Sequence, residues 1–543
     1  MKWIAMKIKP MTAVSLLLVL VQLIGCKQPK DYITAGKIAS GLANDVLLGQ
    51  MLIIALPSGV VDDKTIAIIK KYKPGGVIIF GYNLTDGSCK TFCNDLQNIA
   101  MEHIGIPLFI AIDQEGGRVK RIQNGVTQFP GNFALGVINN PSKVYRMAQI
   151  VGMQLRIAGI NMNFAPVLDV NNNFNNPVIN IRSFSCIPQV CANLGAAYIQ
   201  GLQQSRCIAV AKHFPGHGDT YQDSHITLPV INKTHASLNK TEFVPFKKAI
   251  SSGVECIMTA HIAFPQLGIV KPATMSEYFL NHLLRKKMKF DGLIITDDLE
   301  MKGISGYYSQ GTAAVASVKA GADIVLISSY EDHVQDIINS LSNAMVKNEV
   351  SKDNIVSTVK KIIEVKMRYG IMTIKKNKIY NSNFNGGDSY LEMMQQADTL
   401  NTELSRESIV YHSKNDDFTT FIPAENRKAT ILTTDKEVED IFKAINADVI
   451  HSIQLLKNKK ILFIDSGCYT TKQLQSIIKT AKQNDCNTLL LVTGNPYPYL
   501  KEFGEYPLLM SFSDTHESLH QMALCLSGEF TPKSSHPCLM IDK

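Results

Sequence analysis

The densest chemistry in the sequence lies in the run Lys212-His213-Phe214-Pro215-Gly216-His217-Gly218-Asp219, followed closely by Asp223-Ser224-His225. It joins a strand end to a glycine- and proline-rich loop, and it carries more histidines and carboxylates than core packing requires. In an extended segment residues i and i+2 face the same way, so Asp223 and His225 are expected to pair. An aspartate beside an imidazole holds its tautomer and supports its protonated form, which gives a proton donor near working pH that can later accept. A second run, Phe290-Asp291-Gly292-Leu293-Ile294-Ile295-Thr296-Asp297-Asp298-Leu299-Glu300-Met301, delivers two adjacent carboxylates from an apolar strand to a rim. One of them can point into a pocket and the other away. Hard-cation sites want more clustered oxygen ligands than this run offers, so no metal and no other cofactor is assigned. In a third run, Ala111 to Arg121, Asp113, two glycines and the arginines Arg118 and Arg121 suit a hydroxyl-binding floor. The fourth, Gly159 to Asp169 with Asn180-Ile181-Arg182-Ser183-Phe184, adds Arg182 as a binding cation. Asp169 is read there as a structural partner for a barrel arginine.

These runs need a scaffold that brings strand ends together. From about Leu47 to Ser328 short β-branched or apolar runs alternate with turn residues and helical patterns, the signature of βα units and a parallel sheet. The expected strands are Leu52–Leu56, Gly76–Phe80, Leu108–Ile112, Asn161–Val167, Ile208–Ala211, Cys256–Ala260, Gly292–Thr296 and Asp323–Ile327. Eight of them over roughly three hundred residues fit a (β/α)8 TIM-type barrel, with Asp113, Lys212, His213, His261 and Asp297 at the end where such barrels gather catalytic groups. The barrel is expected over 42–372. A polar stretch with Gly386-Gly387 reads as part of a linker over 373–410, and a smaller α/β sandwich domain over 411–530 precedes a short tail, 531–543. No internal repeat is visible.

The 45% hydrophobic content of this 543-residue chain is that of a globular protein, and its net charge of +8 comes from dispersed lysines. A solvated basic surface explains that charge, and no nucleic-acid partner is expected. At the N-terminus Lys2, Lys7 and Lys9 precede an apolar run from Ala13 to Ile24 that is too short to span a bilayer comfortably. Its ending, Leu23-Ile24-Gly25-Cys26, resembles a bacterial lipobox, which implies a signal peptide over 1–26, lipidation of Cys26 and an exported, membrane-anchored chain of the cell envelope. An ordinary secretory signal is the alternative. The other ten cysteines show no zinc spacing and no regular disulfide framework.

Taken in order, the four segments resemble the β-N-acetylglucosaminidases of glycoside hydrolase family 3, over roughly Leu42 to Tyr369. The Lys-His-Phe-Pro-Gly-His-Gly-Asp run with the downstream Asp-Ser-His is specific to that subgroup. By matching position, the resemblance implies Asp297 as nucleophile, His225 as general acid/base and Asp223 as its tuner, with Asp298 the remaining ambiguity. It also implies Asp113, Arg121, Lys212, His213 and Arg182 as ligands of the sugar. The implied reaction is double displacement with retention, releasing terminal β-linked GlcNAc from peptidoglycan fragments. An imidazole in place of the usual carboxylic acid repels phosphate less, so a glycoside phosphorylase is an alternative, as are a β-glucosidase and a non-catalytic sugar-binding lipoprotein.

Overall fold

The structure is a computed structural model that describes residues 29–84, 88–375, 378–381, 389–414, 418, 430–444, 447–452, 454 and 461–534. The leader-like run, Cys26, most of the expected tail and the Gly386-Gly387 stretch lie outside these residues.

The eight strands are β1 (Leu52–Ile54), β2 (Gly76–Ile79), β3 (Phe109–Ile112), β4 (Met162–Asn163), β5 (Ile208–Phe214), β6 (Cys256–Thr259), β7 (Leu293–Ile295) and β8 (Val325–Ile327). Each pairs in parallel with the next, β8 pairs with β1, and a parallel bridge between Ile295 and Ile324 links β7 to the β8 segment. The ring is therefore a (β/α)8 barrel. Its strands are buried throughout, which is why they read as continuous Ile, Val and Leu runs instead of alternating ones. Several helices outside the ring start where the sequence supplies caps. Asp62 accepts the Thr65 amide at 2.8 Å ahead of Asp63–Tyr72, and Asn140 precedes Pro141–Ile157 with proline in the first turn.

β4 is shorter than the expected Asn161–Val167. Pro166 has no amide hydrogen to give, so the regular ladder stops at Asn163 and resumes only as a bridge between Val167 and Lys212. The described residues of 373–410 likewise hold more regular structure than a linker implies. They include part of the hairpin β9 (Met372–Lys375) and β10 (Lys378–Asn381), then a helix, Ser389–Glu407, that buries Ala397, Leu400 and Leu404. Lys143 on the barrel reaches Glu403 and Glu407 of that helix at 2.6 and 2.7 Å.

The second domain is a six-stranded sheet ordered β11 (Val410–His412), β16 (Leu508–Met510), β15 (Asn487–Val492), β14 (Ile461–Asp465), β12 (Thr430–Leu432) and β13 (Asp448–Ile450). All pairs are parallel except β11 with β16. Alternate residues feed two cores, with Leu462, Ile464, Leu490 and Val492 on one face and Phe463, Leu489 and Leu491 on the other. Helices cover both faces, giving an α/β sandwich. One core extends into the barrel through Phe133, Ala134, Val137 and Ile181. Phe133 meets Phe512 and Tyr497 with ring centroids 5.2 and 6.0 Å apart, so the second domain buttresses the turn that carries Arg182.

Candidate active site

The floor of the site is built by charge neutralisation between strand ends. Lys212, from β5, places Nζ 2.7 Å from Asp113 Oδ1 and 2.8 Å from Glu115 Oε1, both just beyond β3. Arg182 donates Nε and Nη2 to the two oxygens of Glu115 at 2.9 and 2.7 Å, a bidentate pair. Burial pushes the Glu115 carboxyl up, but Arg182 and Lys212 together overcome this and hold it well below the usual carboxylate range. Burial lowers Lys212, and the carboxylates Asp113 and Glu115 reverse that and raise it. The floor therefore stays charged at neutral pH and presents fixed donors and acceptors for hydroxyl groups. Asn163 fastens it from below, exchanging side-chain hydrogen bonds with the backbone of Gln114 at 3.0 and 2.9 Å.

Asp169 serves the adjacent wall. It was expected as the partner of a barrel arginine, yet its Oδ2 lies 2.7 Å from His213 Nδ1 and its Oδ1 accepts the amides of His213 and His217 at 3.2 and 2.7 Å. Arg182 bonds elsewhere, with Nε and Nη2 on Glu115 and Nη1 on the Val178 carbonyl oxygen, and it acts on Asp169 only through its charge. Because a carboxylate only accepts, the His213 proton sits on Nδ1 and Nε2 is left for a ligand. The loop following β5 packs tightly against the loop following β4. A Cβ on Gly218 would lie 1.7 Å from the Val170 carbonyl oxygen, so only glycine fits that approach.

Beyond β7 the two neighbouring carboxylates have different fates. Asp298 Oδ1 accepts the amides of Glu300 and Ser328 at 3.0 and 2.9 Å, which turns it into a brace between the β7 and β8 loops. Burial, added to by the Asp297 charge, pushes its carboxyl up to about 6. Asp297 is opposed by burial too, but His213, His261, the Asp298 amide and Lys212 outweigh it and keep its carboxyl below the ordinary value. His261 is fixed by Thr274 Oγ1 and by the Asp298 carbonyl oxygen, each at 2.9 Å. At neutral pH Asp297 is thus an ionised carboxylate lining the cavity, whereas Asp298, which lines it too, is engaged as a brace.

Asp223 and His225 do meet, through a turn instead of an extended segment. The Asp223 carbonyl oxygen accepts the amides of Ile226 and Thr227, and its Oδ1 accepts both the His225 amide at 2.8 Å and its Nδ1–H at 2.7 Å. Nε2 is consequently the free ring nitrogen. Burial pushes Asp223 up, and its bonds to His225 more than reverse this, leaving the carboxyl lowered and anionic. The His225 side chain is 62% exposed at the mouth of the site.

A cavity of about 240 Å³ is lined by Asp113, Glu115, Arg121, Arg182, Lys212, His213, His217, Ser224, His225, Asp297 and Asp298, with Phe164, Met258 and Leu326 among its apolar walls. Asp113, Arg121, Arg182, Lys212, His213, His225 and Asp297 thus meet in one cavity, whereas Asp223 holds His225 from beside it, and Arg118, which is exposed, and His261, which braces the Asp298 backbone, do not line it. Glu115, His217 and Ser224 belong to it as well without having been given roles, although all three stand inside the quoted runs. Its described lining comes from the barrel alone. Cys186 takes part in a disulfide, whereas the nearby Cys191 is a buried free thiol.

Residues 44–365 match the glycosyl hydrolase family 3 N-terminal domain. β-Hexosaminidase A of Pseudoalteromonas piscicida is 36% identical over 325 residues, 55% of this chain and 54% of that protein, so the match spans about half of that relative's length. A β-hexosaminidase of Methylobacillus flagellatus is 34% identical over 274 residues, 49% of this chain and 77% of its own. The solved β-N-acetylglucosaminidase of Paenibacillus sp. str. FPU-7 superposes with a TM-score of 0.79 at 29% identity, covering 91% of this chain and 99% of that one.

Proposed function

Because the chain belongs to glycosyl hydrolase family 3, we propose that the cavity is the active site of a retaining β-N-acetylglucosaminidase acting on terminal β-linked GlcNAc. One observation carries the reading: an ionised Asp297 and the Nε2 of an aspartate-held His225 line the same sugar-sized cavity. The names of the similar proteins, β-hexosaminidases and a β-N-acetylglucosaminidase, support the choice of sugar.

In this reading Asp297 attacks the anomeric carbon while His225 Nε2–H protonates the departing glycosidic oxygen, so the C1–O bond breaks as the Asp297 ester forms. The emptied Nε2 then takes a proton from water, whose oxygen displaces Asp297 and leaves a product of the original configuration. Asp223 stabilises the imidazolium that this cycle requires and holds its ring in one tautomer. Asp113, Lys212, Arg182, His213 and Arg121 orient the ring through its hydroxyl and acetamido groups, with Glu115 fixing the two cations among them. We extend the proposal to export and lipid anchoring through Cys26, on the strength of the basic and apolar leader-like run. An anchored enzyme of the cell envelope would meet GlcNAc-terminated peptidoglycan fragments as its substrates.

The experiment is cleavage of a chromogenic aryl β-GlcNAc by soluble protein beginning at Lys27, comparing wild type with Asp297→Asn and His225→Ala, with and without phosphate. The proposal expects turnover in water alone that both substitutions abolish or cripple. Strict dependence on phosphate would make the enzyme a phosphorylase. Preference for an aryl glucoside would make it a glucosidase, and no turnover at all would leave a binding protein.

A further inference from the structure

His225 is the most exposed member of the site, yet its neighbour is among the most buried. Ser224 is 2% exposed and His217 1%. Ser224 Oγ lies 3.0 Å from His217 Nε2, and the other ring nitrogen, Nδ1, lies 2.9 Å from Thr220 Oγ1. The His217 amide donates to Asp169 Oδ1 at 2.7 Å, and the second oxygen of Asp169 holds His213 on the sugar-facing wall. At the other end the Ser224 carbonyl oxygen accepts the Gly303 amide at 2.9 Å, in the loop that follows Asp297 and Asp298. That approach is close, since a Cβ on Gly303 would lie 3.1 Å from the same oxygen.

Across Tyr221 to Thr227, the hydrogen bonds to other described residues are the two made by Ser224 and a 3.4 Å contact between Thr227 Oγ1 and Tyr307 OH. The bonds of Asp223 to His225, Ile226 and Thr227 are internal to the turn and travel with it. The turn can therefore be well formed and still be misplaced, unless Ser224 fixes it.

We propose that His217 and Ser224 are positioning residues that locate the general acid/base: a buried Asp169–His217–Ser224 relay couples the sugar-binding wall to His225 and, through Gly303, to the nucleophile's loop. The inference rests on the glycosidase reading above. Neither residue has a step in the reaction described above. Burial pushes the His217 ring down to about 4, so its bond to Ser224 does not depend on protonation across the working range. A pH-independent anchor is what a titrating acid/base needs.

The test separates proton transfer from everything else by leaving group. In the full mature chain, Ser224→Ala and His217→Gln are compared with wild type on two β-GlcNAc substrates. The first is a 2,4-dinitrophenyl glycoside, whose departure needs no proton, and the second an alkyl glycoside, whose departure does. Ser224→Ala is expected to lower kcat/KM for the alkyl glycoside about 100-fold, the scale of a general-acid contribution, and for the dinitrophenyl glycoside by less than about threefold. Because hydrolysis of the glycosyl-enzyme also needs the base, kcat on the dinitrophenyl substrate should fall and be restored by azide, with β-glycosyl azide as product. Ser224→Thr, which keeps the hydroxyl, should recover the alkyl substrate. An equal loss on both substrates, or no loss on either, overturns the relay. If Ser224→Ala does not fold, His217→Gln is judged by the same criterion. Failure of wild type on both substrates would instead defeat the glycosidase reading from which the relay follows.

Discussion

Glu115→Gln removes one negative charge from a place where two cations depend on it. In the native floor Lys212 and Arg182 share Glu115 at 2.7 to 2.9 Å, and the three side chains are 3%, 14% and 2% exposed. Each cation gains about 4 kcal/mol of Coulomb energy from a carboxylate at 4 Å in a medium of effective dielectric 20. Glutamine keeps an oxygen acceptor and the cations can shift toward Asp113, so only part of that gross interaction is lost. Breaking a buried ion pair from one side typically costs ~3–5 kcal/mol, and the lower end applies here. At about 1.4 kcal/mol per decade, ~3 kcal/mol corresponds to roughly 100-fold in kcat/KM if the loss falls on sugar positioning. The assay is steady-state hydrolysis of an aryl β-GlcNAc, run beside urea unfolding followed by far-ultraviolet circular dichroism. A variant with kcat/KM within about threefold of wild type and unfolding free energy within about 0.5 kcal/mol would show that the Lys212–Glu115–Arg182 triad does not organise the floor.

Four further outcomes follow from the charges and contacts of the structure. Asp298→Asn keeps the Oδ1 acceptor for Glu300 and Ser328 and should retain activity within about tenfold, whereas Asp297→Asn should lose at least about 1,000-fold in kcat. Because the folded Asp298 carboxyl is raised to about 6 from an ordinary 3.8, its favourable contribution is complete below pH 4 and is lost as pH rises through 6. Urea titrations at pH 4 and 7 should therefore show a smaller decline in stability for Asp298→Asn than for wild type. Lys366 is fully buried beside Gln50 Oε1 and over the Phe109 ring, and burial lowers its ammonium to about 7. The unfolded chain binds the extra proton between pH 7 and 10.5, so wild-type stability rises across that window. Lys366→Met should accordingly stabilise most at or below pH 7, by ~1–2 kcal/mol after the cost of leaving Gln50 Oε1 without its donor, with the gain shrinking toward pH 10. Gly218→Ala should keep the fold by circular dichroism and lose about 100-fold in kcat/KM, because its methyl would push the loop bearing His225 away from Val170.

The eight barrel strands were legible because buried parallel strands are continuous apolar runs, and the polar residues that end them could only gather at one mouth. The same logic placed Asp113, Lys212, His213 and Asp297 together. What the sequence did not reveal was which charge answers which. Glu115 and Arg182 are 67 positions apart, and Asp169 and His213 are 44, so periodicity says nothing of their pairing. Asp169 was assigned to an arginine for that reason. Asp223 and His225 were paired from an extended geometry, whereas a turn closes them. The segment 373–410 read as a linker because its polar, glycine-bearing centre masks the helix Ser389–Glu407, whose buried face is only a narrow stripe. β11 leaves no mark in the sequence because it is a three-residue antiparallel edge with no alternation to detect.

The most direct test of the central claim is covalent. Wild-type protein is incubated with a fluorinated GlcNAc donor that forms the glycosyl-enzyme faster than water removes it, digested, and analysed by mass spectrometry. The account predicts one equivalent of sugar on Asp297, absent from Asp297→Asn and still formed on Asp297 in Asp298→Asn. Labelling of Asp298, or turnover of the donor with inversion and no covalent adduct, would contradict it.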